Sequence, residues 1–279
     1  MNISRLIALG AAGAAFGVAA PIQFGTYLYA DYAETGFSAQ PVSQFSNPVA
    51  QTEINNSLVH LISRADLATG TLKTLNQRLT GFGSTGTQVL FYDTITFNGS
   101  AFQGSFGATY DLTLTATFDG SFNRTGAIDS GGVGGRIQVY GGSTVIDSSV
   151  FADADSLTNF LFLGGPTPVC AQGVNGPDLA TFTGPFTFST SCTVTVSAAN
   201  PTVRILLNLP SFVNGNGASW QLNMLNSATL SLGDLGGREV FSASGVLPGT
   251  LSAVPEPATL GLVVMGGLLC GWRKRQTQR

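Results

Sequence analysis

The 279-residue chain has one histidine, His60, so any imidazole-based proton transfer near neutral pH would have to run through it. His60 sits among Leu58, Val59, Leu61 and Ile62, and no Gly-x-Ser-x-Gly motif lies near it. Ser-His-Asp and Cys-His chemistry needs a nucleophile beside the imidazole. A packed or surface histidine is therefore expected, with no catalytic residue and no enzymatic activity assigned. Zinc would need several His and Cys ligands at short spacings, and none are present. Carboxylates are more numerous: Asp93, Asp111, Asp119, Asp129, Asp147, Asp153, Asp155 and Asp178 are scattered along the chain. Glycoside hydrolysis needs only two of them across a bond. Asp153-Ala154-Asp155 with Asp147 could supply the clustered oxygens calcium prefers, but turn-forming aspartates account for the same residues. Neither a metal ion nor a cofactor is assigned.

Gly81-x-Gly83-x-x-Gly86 has the spacing of a dinucleotide fingerprint but precedes a strand pattern instead of opening a helix, so it reads as a loop. Gly131-Gly132-Val133-Gly134-Gly135 lacks the Lys-Ser/Thr of a phosphate cradle and also reads as a loop. Trp220, Tyr110, Tyr140 and the group Tyr27, Tyr29 and Tyr32 could stack on sugar faces, although Trp220 alternates with Leu222 and Met224 as a core residue would.

These residues must be carried by strands, because apolar and polar positions alternate with period two through most of the chain. Val89, Phe91, Ile95 and Phe97 share a face interrupted by Asp93. Leu112, Leu114, Ala116 and Phe118 share another, before an expected turn at Asp119-Gly120. Ile137 and Val139 lead to Gly141-Gly142, with Val145 returning. A long alternating run covers Phe186, Phe188, Cys192, Val194 and Val196; Val203, Ile205, Leu207 and Leu209 form the next, expected to end at Pro210. Trp220, Leu222 and Met224 make one more, and Leu230 and Leu232 begin the last. Between Ala65 and Leu75 a strand pair broken at Gly70 is expected, while Ile54 to Arg64 fits helix or strand. The turn spacing points to an all-β body, a β-sandwich or jelly roll.

The ends differ in character. Met1 to Arg5 carries one positive charge, and Leu6 to Ala20 is an uncharged apolar run. This is the order of a secretory signal peptide, residues 1–20, with small residues at Gly17 and Ala19 or Val18 and Ala20, and a later cut after Ala30 conceivable. Export through the Sec machinery is expected, with a buried N-terminal helix as the alternative. At the other end, Val254-Pro255-Glu256-Pro257 precedes an apolar run from Ala258 through Leu260 to Trp272, then Arg273-Lys274-Arg275. The prolines break any preceding strand and leave an extended stretch open to a processing enzyme. The fifteen-residue run, short of the roughly 20 of a comfortable span, is expected to be a membrane helix with its basic end cytoplasmic.

This three-part tail resembles a PEP-CTERM sorting signal, carried by Val254 to Gly261, the Gly-rich apolar run and Arg273 to Arg275. The resemblance implies an exosortase as processing partner and membrane attachment through the C-terminal helix before processing. It also implies a Gram-negative-type envelope and association with exopolysaccharide or biofilm matrix. Weaker similarities to PEP-CTERM ectodomains lie in Ala65 to Lys73, Asp93 to Phe97 and Ser242 to Gly245. The expected organisation is signal peptide 1–20, β-sandwich ectodomain 21–253 and sorting signal 254–279.

From Pro21 to Val254 there are seven Lys and Arg against fourteen Asp and Glu. An acidic, sparsely charged body disfavours nucleic-acid binding, since no basic stripe is present to displace phosphate counterions. Cys170 and Cys192 are the only cysteines of the body; in an oxidising exterior they most simply form one disulfide, two buried thiols being the alternative. The expected role is an exported structural or adhesive surface protein. The alternative is a carbohydrate-binding module, with or without calcium.

Overall fold

The computed structural model describes residues 25–33, 42–45, 49–80, 82–144 and 167–245. They form two antiparallel sheets packed face to face. The first sheet runs β2 (Val42–Phe45), β1 (Gly25–Ala33), β6 (Phe82–Phe97), β11 (Thr202–Asn216), β8 (Ser130–Gly141) and β9 (Cys170–Asn175), with β13 (Val240–Ser242) also paired to β6. The second runs β10 (Gly184–Ser197), β7 (Thr109–Thr125), β12 (Ser219–Leu232), β5 (Thr71–Arg78), β4 (Val59–Asp66) and β3 (Val49–Asn55).

Alternation sets which side chains meet between the sheets. Val89, Phe91, Ile95 and Phe97 from β6, and Val203, Ile205, Leu207 and Leu209 from β11, face Leu112, Leu114, Ala116 and Phe118 of β7 across one buried core. The opposite face of β7 and β10 carries Thr, Ser and Asp, paired across strands: Thr113 with Thr193 at 3.1 Å, and Thr187 and Thr195 donating to Asp119 and Asp111 at 2.6 Å each. The segment left open by its sequence pattern, Ile54 to Arg64, is strand. β4 pairs with β3 on one side and β5 on the other. The β4–β5 turn closes through Gly70 N–H donating to the Leu67 carbonyl at 3.2 Å, and Gly70 takes φ 61°, a conformation β-branched residues avoid.

Three expectations about turns are corrected. Asp119-Gly120 is not a turn, because β7 runs straight through it. A Cβ at Gly120 would lie 2.7 Å from Phe186 Cζ, so the glycine admits close side-chain packing within a strand. Gly131–Gly135 is not a loop but the first half of β8. Pro210 does not end its strand, and β11 continues to Asn216. Pro210 has no N–H to donate. It stays in register with Gln88 of β6, while the β8 register is interrupted between Asn208↔Arg136 and Ser211↔Val133.

The flanking helices are also corrected. The described residues are all-β apart from two short 3-10 turns, at Gly99–Phe102 and Gly104–Phe106, and contain no helix long and apolar enough to cross a membrane. The expected signal helix (1–20) and membrane helix (Ala258, Leu260 to Trp272) lie outside the described residues. The described fold is all-β and holds no transmembrane helix, so membrane attachment through one is not carried further.

Candidate functional site

A cleft of about 350 Å³ lies on the outer face of the first sheet, where β8, β9 and β11 meet. Its origin is local. Gly132 and Gly134 point outward from β8 and contribute no side chain, and the interrupted pairing opposite Pro210 loosens the sheet at the same place. A Cβ on Gly134 would stand 3.5 Å from the Val174 carbonyl oxygen and 3.9 Å from Pro210 Cγ, ordinary contact distances. The glycine keeps the floor low without being required by packing. Gly135, facing inward, is required: a Cβ there would lie 2.2 Å from the Phe118 ring.

The walls supply both apolar and polar contact. Phe212, half-buried on β11, and Pro210 form one side; Val174, Asn175 and Pro177 form the other. Arg136 closes one end. Asp178 also lines the cleft, with Oδ1 accepting the Ala180 N–H at 3.0 Å and its own carbonyl accepting from Phe182 N–H at 3.0 Å, which fixes the wall after β9. An aromatic ring, two prolines, a guanidinium, an amide and a carboxylate around a shallow floor can hold a polar ring-shaped ligand by stacking and by directed hydrogen bonds.

The residues singled out from the sequence are dispersed. His60 lies on the second sheet with Nε2 2.8 Å from Glu53 Oε1, in a partly exposed cross-strand pair. Trp220 is buried, and its Nε1 donates to Thr85 Oγ1 at 3.1 Å and Asn76 Oδ1 at 3.4 Å. Tyr110 stacks under Arg238, whose guanidinium carbon is 4.2 Å from the ring centroid, and donates its hydroxyl to the Asp234 carbonyl. Tyr140 is buried, and burial raises its phenol pKa. The tyrosine group divides: Tyr32 is buried and accepts from Asn56 Nδ2 at 3.2 Å, while Tyr27 and Tyr29 occupy the opposite parity of β1. Trp220, Tyr32, Tyr110 and Tyr140 are each engaged within the fold and offer no sugar platform.

Gly83 and Gly86 lie within β6, so the dinucleotide spacing is strand sequence. Asp147, Asp153 and Asp155 fall outside the described residues; among those described, no group of three or more His, Cys, Asp or Glu could hold a metal ion. Cys170 and Cys192 are disulfide-bonded. The cleft itself was missed because its glycines were assigned to a loop. The signal that could have found it is the unbroken continuation of Gly131–Gly135 into the alternating Ile137-Val139 run.

A buried carboxylate marks the end of the body that leads to the tail. Asp93 is fully buried on the core face of β6 and accepts the N–H of Thr94 at 2.7 Å, the N–H of Ser244 at 3.2 Å and the Ser244 hydroxyl. Desolvation raises its pKa, and these hydrogen bonds oppose the rise. The contact fastens the chain just after β13 to the sandwich, ten residues before the sequence Val254-Pro255-Glu256-Pro257 begins.

Residues 253–276 match the family model described as the PEP-CTERM protein-sorting motif. The chain carries a PEP-CTERM sorting motif. It includes Val254, Pro255, Glu256, Pro257 and the basic residues Arg273, Lys274 and Arg275, and it makes this an exported, surface-associated β-protein with an exosortase as the supported partner. No curated protein matches the chain. Among solved structures, the chain is similar to TmCBM61 in complex with beta-1,4-galactotriose, at 9% identity over 69% of this chain and 89% of that one, with a TM-score of 0.24. That score is too low for the likeness to speak to topology or ligand.

Proposed function

We propose that this PEP-CTERM protein is a non-enzymatic surface module whose sandwich binds polysaccharide through the glycine-floored cleft, in the exopolysaccharide or matrix of a Gram-negative-type envelope. The cleft carries the reading: it pairs an aromatic wall with Arg136, Asn175 and Asp178 over a floor without side chains. Saccharide rings expose an apolar face and a hydroxyl edge, and that combination suits them. A purely structural or adhesive role needs no such concavity. Exosortase processing near Pro255 to Pro257 would release the sandwich from its tail beside the polymer it binds.

Two measurements on the full-length protein test this. Expressed with and without an exosortase, it should lose the tail only when the enzyme is present; an uncut tail in both removes the processing step. Passed over immobilised bacterial polysaccharides, it should be retained saturably. Absence of retention on every polysaccharide returns the sandwich to a structural role.

A further inference from the structure

Buried polar groups without partners are rare in folded proteins, and each calls for a reason. On the outer face of the first sheet they cluster. Arg136 Nη1 and Gln138 Oε1 on β8, and Arg204 Nε and Asn208 Nδ2 on β11, are all shielded from solvent and make no hydrogen bond. Three of the four are donors. Arg136 and Asn208 are direct cross-strand partners in the β8–β11 register, at the position where pairing beside Pro210 breaks off. Arg136 also lines the cleft. The other donors of this group are spoken for in part: Arg204 Nη1 and Nη2 donate to the Tyr92 hydroxyl at 3.4 Å and the Gly142 carbonyl at 3.2 Å. Asn208 Oδ1 accepts from Gln88 Nε2 at 3.3 Å, which leaves its Nδ2 as the free end.

No carboxylate neutralises Arg136 among the described residues. Asp178, on the far wall, forms no ion pair with it, and its Oδ1 is taken by the Ala180 N–H. A guanidinium that lines a cleft and has no carboxylate partner is complementary to a planar anion, while the unpaired Asn208 amide beside it on β11 is buried behind the cleft lining.

We infer that the Arg136 end of the cleft is an acid-sugar subsite, in which the Arg136 guanidinium binds the carboxylate of a uronic-acid unit while Phe212 and Pro210 contact the ring. The inference rests on the polysaccharide reading and narrows it to anionic chains. It is compatible with a body that is itself acidic, because the attraction is local to one arginine and not spread over the surface.

The test titrates the full-length protein with trigalacturonate and with neutral galactotriose, using wild type, Arg136→Met and Gly134→Leu. Wild type should prefer the acidic trisaccharide by about tenfold or more, the scale of one charge-assisted hydrogen bond. The preference should weaken with added salt. Arg136→Met should abolish the preference while keeping weak binding of both sugars, and Gly134→Leu should abolish binding altogether with an unchanged melting temperature. Equal affinity for both sugars in wild type overturns the acid-sugar subsite and leaves the polysaccharide reading intact. An acidic preference that survives Arg136→Met also overturns it, since the charge recognition then lies elsewhere. No binding of either sugar, with no retention on any polysaccharide, overturns both.

Discussion

Cys170, the first residue of the edge strand β9 in one sheet, is bonded to Cys192, buried in the edge strand β10 of the other, with their Cα atoms 6.1 Å apart. The bond therefore closes one open side of the sandwich. The 22-residue separation it spans contains Gly173 to Asp178, the outer wall of the cleft. A single covalent link thus serves both the packing of the sheets and the geometry of the site.

Cys192→Ser should lower unfolding free energy by about 3 kcal/mol, the loop-closure value for a link of this length. Denaturant titration of the variant, and of wild type under reducing conditions, should give the same loss. A loss confined to the variant would mean that the thiol change disturbs packing and the link itself contributes little.

Gly134 and Gly135 are adjacent and should respond oppositely to alanine. Gly135→Ala drives a methyl into the Phe118 ring and should cost about 1–3 kcal/mol, the usual penalty of overpacking. Gly134→Ala meets only ordinary contacts and should stay within about 0.5 kcal/mol of wild type. Thermal unfolding of the two proteins decides it; equal effects would contradict the assignment of inward and outward faces in β8.

Trp220→Phe keeps an aromatic ring near Arg78, though a smaller one, and removes the indole donor. Thr85 and Asn76 then lose that partner inside the core, where a buried polar network also includes Thr74, Thr87 and Ser211. The expected cost is about 1–2 kcal/mol, read by denaturant midpoint. A neutral result would show that the hydroxyl network rearranges around the phenyl ring.

Asp93 gives the fold a pH dependence whose sign follows from its raised pKa. The folded state holds the proton more tightly than the unfolded chain, so its contribution to stability is full below the ordinary carboxylate value of 3.8 and is lost as pH rises through the higher folded value. Asp93→Asn stays neutral, can still accept from the N–H groups of Thr94 and Ser244, and can donate to the Ser244 hydroxyl. Its stability relative to wild type should therefore rise as pH increases from about 4 to 7. A difference that is constant across this range would show that Asp93 is not held protonated by burial.

Much of the fold is legible in residue order, because a period of two survives wherever one strand face is buried and the other is not. Phe91, Ile95, Leu114 and Leu207 lie where alternation places them. Legibility fails where glycine and proline act inside strands. Gly120, Gly135 and Pro210 carry the composition of turns, yet each sits in a strand because of a partner distant in sequence: Phe186, Phe118 and Gln88 respectively. The cleft is built from those same residue types, so it was hidden for the same reason. The sorting motif was legible for the opposite reason, being a linear signal read without a fold. The membrane helix expected beside it has no counterpart among the described residues, which contain no helix long and apolar enough to cross a membrane.

Retention of the full-length protein on bacterial polysaccharide, compared with Gly134→Leu, tests the account at its centre. Wild type should be held saturably, and the variant should pass unretained while melting at the same temperature. Equal retention of both proteins, or of neither, would contradict binding through the cleft.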